Sequence, residues 1–170
     1  MQQRITVFLV DDHAVVRDGL RLLLETQRDM EVVGGAADGQ EAIDQIAIHC
    51  PDIVLMDVAM PVMDGIEATR QVGPRCPSTQ VIILSMHSTA EHVYRALRAG
   101  ARGYLLKESA GSEVVKAMRQ VYDGGLYLSP KIASAVSNPQ ILHRERLQDI
   151  AGIEQYVSGN GHAQAEHGDR

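Results

Sequence analysis

Four charged residues follow apolar runs, and together they suggest one kind of chemistry. Asp57 follows Ile53-Val54-Leu55-Met56, Asp11 and Asp12 follow the run from Ile5 to Val10, and Lys107 follows Gly103 to Leu106. Short, nearly continuous apolar runs read as buried parallel strands. Open α/β sheets carry their chemistry at the carboxyl ends of such strands. Three acids and one lysine gathered there suit a hard divalent cation and a phosphoryl group.

The elements that must position these residues alternate up to about residue 123. Strand-like segments are Ile5 to Val10, Glu31 to Ala36, Ile53 to Met56, Val81 to Leu84 and Gly103 to Leu106. Between them lie helical patterns: Val15 to Leu24, Ala42 to Ala47 (ended by Cys50-Pro51), Ile66 to Val72 (stopped by Gly73-Pro74) and Ala90 to Ala99. A last helix opens near Ser112, a candidate N-cap, and runs to about Tyr122. Five βα units predict a flavodoxin-like, doubly wound parallel sheet with helices on both faces. The poorer second strand suits an edge, so the expected order is 2-1-3-4-5, with a crevice between strands one and three.

After Tyr122 the pattern changes. We expect one domain over 1–125, a linker over 126–137 with a helix start at Ser129-Pro130, and a short, partly helical or disordered tail over 138–170. Within that tail Ile141, Leu142, Leu147, Ile150, Ile153 and Val157 form an imperfect apolar stripe that could pack back on the domain. Ser158 to Arg170 is rich in Gly, His, Gln and Asp and is expected to be irregular.

Bulk properties narrow the class. The chain has 170 residues, 45% hydrophobic and 22% charged, which suits a globular fold. No apolar stretch approaches the roughly 18 residues of a membrane span. No signal-peptide pattern opens the chain, so the expected location is cytoplasmic. A net charge of −6 argues against a strongly basic nucleic-acid surface. Cys50 and Cys76 lack metal-type spacing and are expected to be free thiols.

Several motifs in order carry a family resemblance: Val10-Asp11-Asp12-His13, Met56-Asp57-Val58-Ala59-Met60-Pro61, Leu84-Ser85-Met86-His87 and Gly103-Tyr104-Leu105-Leu106-Lys107. Over roughly residues 4–137 the chain resembles the receiver domains of two-component response regulators. Gly100-Ala101 and Leu126-Tyr127-Leu128-Ser129-Pro130 add the flavour of the NarL/FixJ subfamily, whose receivers precede LuxR-type helix-turn-helix domains. No such domain is recognisable here. Arg144-Glu145-Arg146-Leu147 is similar to the start of one, but no recognition helix follows. The resemblance thus leaves a receiver with a short tail, or a truncated or degenerate relative of a DNA-binding regulator. DNA binding is not supported by this chain alone.

The resemblance implies a role for each motif residue. Asp57 is the phospho-acceptor, receiving its phosphoryl group from the histidine of a sensor kinase. Mg²⁺ is the cofactor, held by Asp12, Asp57 and the backbone carbonyl of Ala59, with Asp11 acting through water or by orienting Lys107. Lys107 pairs with Asp57 before transfer and with a phosphoryl oxygen after it. Ser85 reaches the same oxygen, and Ser85 with Tyr104 forms the switch. The output is a phosphorylation-dependent homodimer. Leu20, Leu24, Val114 and Met118 are candidates for its surface, although each could equally be core. Such a chain is a signalling domain rather than an enzyme, its only chemistry being self-phosphorylation from a phosphodonor and autodephosphorylation.

Other readings of the same residues exist. Asp11 and Asp12 could be turn formers or an N-cap. Asp64-Gly65 reads as a turn. His13, His87 and His92 read as surface or loop residues, and Met56, Met60 and Met63 as packing. A haloacid-dehalogenase-type phosphatase would want an acid at position 59, which is Ala. A nucleotide- or flavin-binding module would want a Gly- or Ser/Thr-rich phosphate loop where Asp11-Asp12-His13 stands.

Overall fold

Nearly continuous apolar runs become strands whose two faces are both covered. The computed structural model describes residues 3–109 and 111–164. Its strands are Ile5–Val10 (β1), Met30–Ala36 (β2), Ile53–Asp57 (β3), Gln80–Ser85 (β4), Gly103–Leu106 (β5) and Tyr127–Leu128 (β6). They form one parallel sheet of order β2-β1-β3-β4-β5-β6. The flavodoxin-like fold and the 2-1-3-4-5 order read from the sequence are those observed, extended by a sixth strand.

Helices cover both faces. Ala14–Glu25 (α1) and Gly111–Tyr122 (α5) share one core with Leu9, Leu55 and Leu105. Gly39–His49 (α2), Gly65–Arg75 (α3) and Ala90–Arg98 (α4) share the other with Phe8, Met56 and Tyr104. Consecutive residues on β5 therefore face opposite cores, as the pleat requires. Leu24, Val114 and Met118 are buried in the single chain, and Leu20 packs against them. They serve the α1–α5 core and are not free surface.

Helix ends differ from the sequence reading where a side chain supplies the cap. Asp64 is not merely a turn former: its Oδ1 accepts the Glu67 N–H at 2.9 Å and caps α3. That helix continues to Arg75, past Pro74, because a proline in the last turn removes only one intrahelical bond. Ser112 lies within the first turn of α5 rather than before it.

Residues 126–137 are built into the domain. Tyr127 N–H bonds the Arg102 carbonyl and Ser129 N–H the Tyr104 carbonyl, which docks β6 on β5. Pro130–Val136 (α6) then buries Ile132, Ala133 and Val136. The apolar stripe beyond is not one helix. Pro139–Arg144 (α7) is followed by a 3-10 turn over Leu147–Asp149 and by Ile153–Gln164 (α8). The breaks fall at Arg146 and Gly152, both with positive φ. Leu147 and Ile153 are fully buried, so the segment packs back on the receiver. The α8 helix passes Ser158, where irregular chain is expected; residues 165–170 lie outside the described residues.

The cysteines require a correction. They are not free thiols: Cys50 and Cys76 form a disulfide with a Cα–Cα distance of 5.5 Å. Each caps the C-terminus of a helix, Cys50 on α2 and Cys76 on α3, and these helices pack side by side. Spacing along the chain cannot reveal that two helix ends converge.

Candidate functional site

The acidic site sits where β1 and β3 end side by side. Val10 is the register partner of Met56, so Asp11 and Asp57 leave the sheet as neighbours. Lys107, just past β5, reaches the same place. Its Nζ lies 3.1 Å from Asp57 Oδ1 and 3.3 Å from Asp11 Oδ2. Ligand atoms of Asp11, Asp12, His13 and Asp57 all lie within 4.8 Å of one another. The four strand-end residues that opened the sequence reading are therefore brought together.

Each acid has a distinct environment. Asp11 is buried and its oxygens are already partnered: Oδ1 accepts the His13 N–H at 2.9 Å, and Oδ2 faces Lys107. The turn-forming role considered for Asp11 is thus real for one oxygen, while the other orients the lysine. Asp12 is more open, its side chain 29% exposed. Asp57 is 2% exposed, and its Oδ2 is a buried atom with no hydrogen-bond partner among the described residues.

The electrostatics follow from this crowding. Burial pushes the Asp57 carboxyl above its usual range, and the charges of Asp11 and Asp12 push the same way. The hydrogen bond and charge of Lys107 oppose them without cancelling them. For Lys107, burial disfavours the ammonium, but Asp57 and Asp11 outweigh it and hold the lysine charged. An unpartnered buried carboxylate oxygen beside other acids is a site short of positive charge. Its oxygen donors fit a hard divalent cation.

Glycine lets the backbone close around Asp57. A Cβ on Gly65 would lie 2.0 Å from the Asp57 carbonyl oxygen, and the Gly65 N–H bonds the Val58 carbonyl. The α3 helix must therefore start close beneath Asp57. Ala59 lies on this β3–α3 loop and lines a cavity of about 170 Å³ with Asp64, His92, Arg95 and Tyr104.

Ser85 and Tyr104 meet at one residue. Ser85 follows Leu84, the register partner of Asp57, and is buried. Its Oγ accepts the His87 N–H at 3.0 Å. The Tyr104 hydroxyl donates to the His87 carbonyl at 2.8 Å. Tyr104 is fully buried, which raises its pKa, while the Ser85 hydroxyl works against that rise. The His87 ring in turn stacks on His92 of α4 at 4.1 Å.

Two histidines carry more than the sequence reading assigned them. The His13 ring is exposed, as a surface residue should be, yet its Nδ1 lies 3.0 Å from Asp12 Oδ1. His87 acts through its backbone, which no side-chain pattern could reveal. The adjacency of His13 to the acid pair was the one available signal.

Comparison with known proteins agrees with this geometry. The family model of the response regulator receiver domain matches residues 7–119. The chain is 41% identical over 133 residues to the oxygen regulatory protein NreC of Staphylococcus carnosus, covering 78% of this chain and 61% of that one. It thus spans about three-fifths of the length of that curated relative. Among solved structures, a LuxR-family response regulator from Aurantimonas sp. SI85-9A1 is 36% identical with a TM-score of 0.77, over 82% of this chain and 99% of that one. The signal receiver domain of the response regulator NarL from Mycobacterium tuberculosis is 38% identical with a TM-score of 0.69, over 72% of this chain and 98% of that one. Among the described residues no helix is long and apolar enough to cross a membrane. The fold, the acidic site and these matches place the chain in the response regulator receiver family.

Proposed function

We propose that Asp57 accepts a phosphoryl group from the histidine of a sensor kinase, in the cytoplasm, and that the chain signals by a change in conformation and self-association. The observation that carries this reading is the unpartnered Asp57 Oδ2, buried among acids with Lys107 on the other oxygen. A nucleophile needs a free oxygen, and transfer needs neutralised charge. Mg²⁺ is the proposed cation, with Asp12, Asp57 and the Ala59 carbonyl as ligands and Asp11 in an indirect role. When bound, it would neutralise charge on the transferring group.

The chain's own residues do the rest. Lys107 pairs with Asp57 Oδ1 before transfer and is placed to follow a phosphoryl oxygen afterwards. Ser85 offers its hydroxyl from the next strand. A hydroxyl turned toward a phosphoryl group no longer holds the His87 N–H, and the Tyr104 hydroxyl holds the other side of the same residue. The loop after β4 then has two arrangements, which a new dianionic group biases.

The test is intact mass after incubation with acetyl phosphate and Mg²⁺, for wild type and Asp57→Asn, with size exclusion alongside. One adduct, lost in the variant and accompanied by a size shift, is the expected result. A folded protein that takes no adduct, or an adduct that survives in Asp57→Asn, would overturn the assignment.

A further inference from the structure

The disulfide is unlike the rest of the molecule, because nothing in phosphoryl transfer needs it. Cys50 and Cys76 are bonded across a sequence separation of 26 residues. Their environments differ sharply. Cys76 is 1% exposed, within the core shared by α2, α3 and α4. Cys50 is exposed, on the rim of an open groove of about 840 Å³ with Arg4, Arg28 and His49. One residue of the bond thus faces solvent and the other is shielded. Cys50 also holds a left-handed backbone, φ 38°, at the C-cap of α2. That conformation favours glycine and costs a β-carbon-bearing residue on the order of 1 kcal/mol.

The two bonded helices converge again at their other ends, beside the acidic site. Gly39, the first residue of α2, donates its N–H to the Met63 carbonyl at 3.2 Å. A Cβ there would lie 2.4 Å from that oxygen, so the contact is close. Gly65, the first residue of α3, sits against the Asp57 backbone. The β3–α3 loop is therefore gripped by two helices whose far ends are covalently joined.

We propose that Cys50–Cys76 is an exchangeable disulfide, a redox modification site that locks the α2–α3 pair and thereby the loop beside Asp57. Disulfides in reducing compartments are characteristically transient or redox-sensing. The proposal rests on the cytoplasmic reading for that comparison and for the source of the thiol. The reductant is a dithiol or two equivalents of a monothiol. Its thiolate attacks Cys50 Sγ, forming a mixed disulfide and releasing the Cys76 thiolate, which takes up a proton. A second thiolate attacks the donor sulfur, releasing Cys50 as the thiolate, which is also protonated. The protein gains two electrons and two protons, and the donor leaves as its disulfide.

The test uses the full chain, without phosphodonor, in a graded series of reduced and oxidised glutathione. Free thiols are trapped with N-ethylmaleimide and counted by intact mass. We expect reversible conversion between no adduct and two adducts within the series. Hydrogen exchange over residues 58–64 should speed up several-fold in the reduced form. Cys76→Ser should take up one glutathione at Cys50, and Cys50→Ser none. Two adducts at every ratio, or a bond intact in the most reducing mixture, would overturn the proposal. So would unchanged exchange over 58–64, or glutathione on Cys50→Ser. None of these readouts involves Asp57 phosphorylation, so this inference and the receiver chemistry fail or stand separately.

Discussion

Lys107 Nζ lies 3.1 Å from Asp57 Oδ1, while the other oxygen of the same carboxylate has no hydrogen-bond partner among the described residues. The two residues leave β5 and β3, which are separated by β4, so the pair reaches across the end of one intervening strand. One oxygen faces a point charge, and the other is the one proposed to accept the phosphoryl group. Under the proposed function, that asymmetry sets stability against function at Asp57.

Asp57→Asn should therefore stabilise the protein at neutral pH, by on the order of 1 kcal/mol, the scale of a buried polar group in want of a partner. The folded-state pKa of Asp57 is raised. A raised carboxylate favours folding while protonated, below its unfolded value, and loses that contribution as pH rises through its folded value. The advantage of Asn over Asp should accordingly shrink as pH falls toward the acid range. Urea unfolding of both proteins across pH reads this out, and an advantage that grew at low pH would contradict the assigned shift. Added Mg²⁺ should raise the wild-type midpoint more than that of the variant, because a ligand stabilises the state it binds.

Lys107→Ala removes the cation shared by Asp57 and Asp11. It should cost about 2 kcal/mol, less than a fully buried pair because the lysine side chain is 21% exposed. Some phosphorylation should remain, with a weaker association response to beryllofluoride. An unchanged response would show that the lysine only balances charge.

Gly65→Ala should be among the most damaging single substitutions. The new Cβ meets backbone at 2.0 Å, which no side-chain rotation relieves. Either the start of α3 or Asp57 must move. The expected outcome is a lower unfolding midpoint together with slower adduct formation from acetyl phosphate. Normal rates in a folded variant would mean that the loop has room to spare.

Tyr104→Phe deletes the donor to the His87 carbonyl while keeping the ring. The adduct at Asp57 should form normally. Amide exchange across residues 86–89 should quicken by roughly the factor that 1 kcal/mol implies, about five-fold. Exchange at the wild-type rate would remove Tyr104 from the proposed switch.

Tyr156→Phe probes the tail. The Tyr156 hydroxyl accepts the Leu128 N–H at 3.0 Å and donates to the Leu128 carbonyl at 2.7 Å, closing the free edge of β6. Losing both partners should cost about 1–3 kcal/mol. Proteolysis between α6 and α8 should rise with it. Resistance equal to wild type would mean that the apolar contacts of Leu147 and Ile153 suffice.

Much of this molecule could be read from residue order, and the reason is local. A strand buried on both faces must be apolar throughout, so β1, β3 and β5 announce themselves, and the charges that follow them mark one sheet edge. Hence Asp11, Asp12, Asp57 and Lys107 could be named as a group before any coordinates. Tertiary structure alone decided the rest. Residues 126–137 read as a linker because two strand residues carry no periodicity, yet pairing with β5 buries much of the segment. The tail stripe breaks at Arg146 and Gly152, where the chain turns to pack against α6 and the shared core instead of continuing as one helix. The cysteines met because α2 and α3 lie side by side. Which oxygen of Asp57 stays free, and that Ser85 and Tyr104 converge on His87, depend on contacts between strands far apart in sequence. Local pattern encodes which residues turn inward; only the folded chain decides which of them touch.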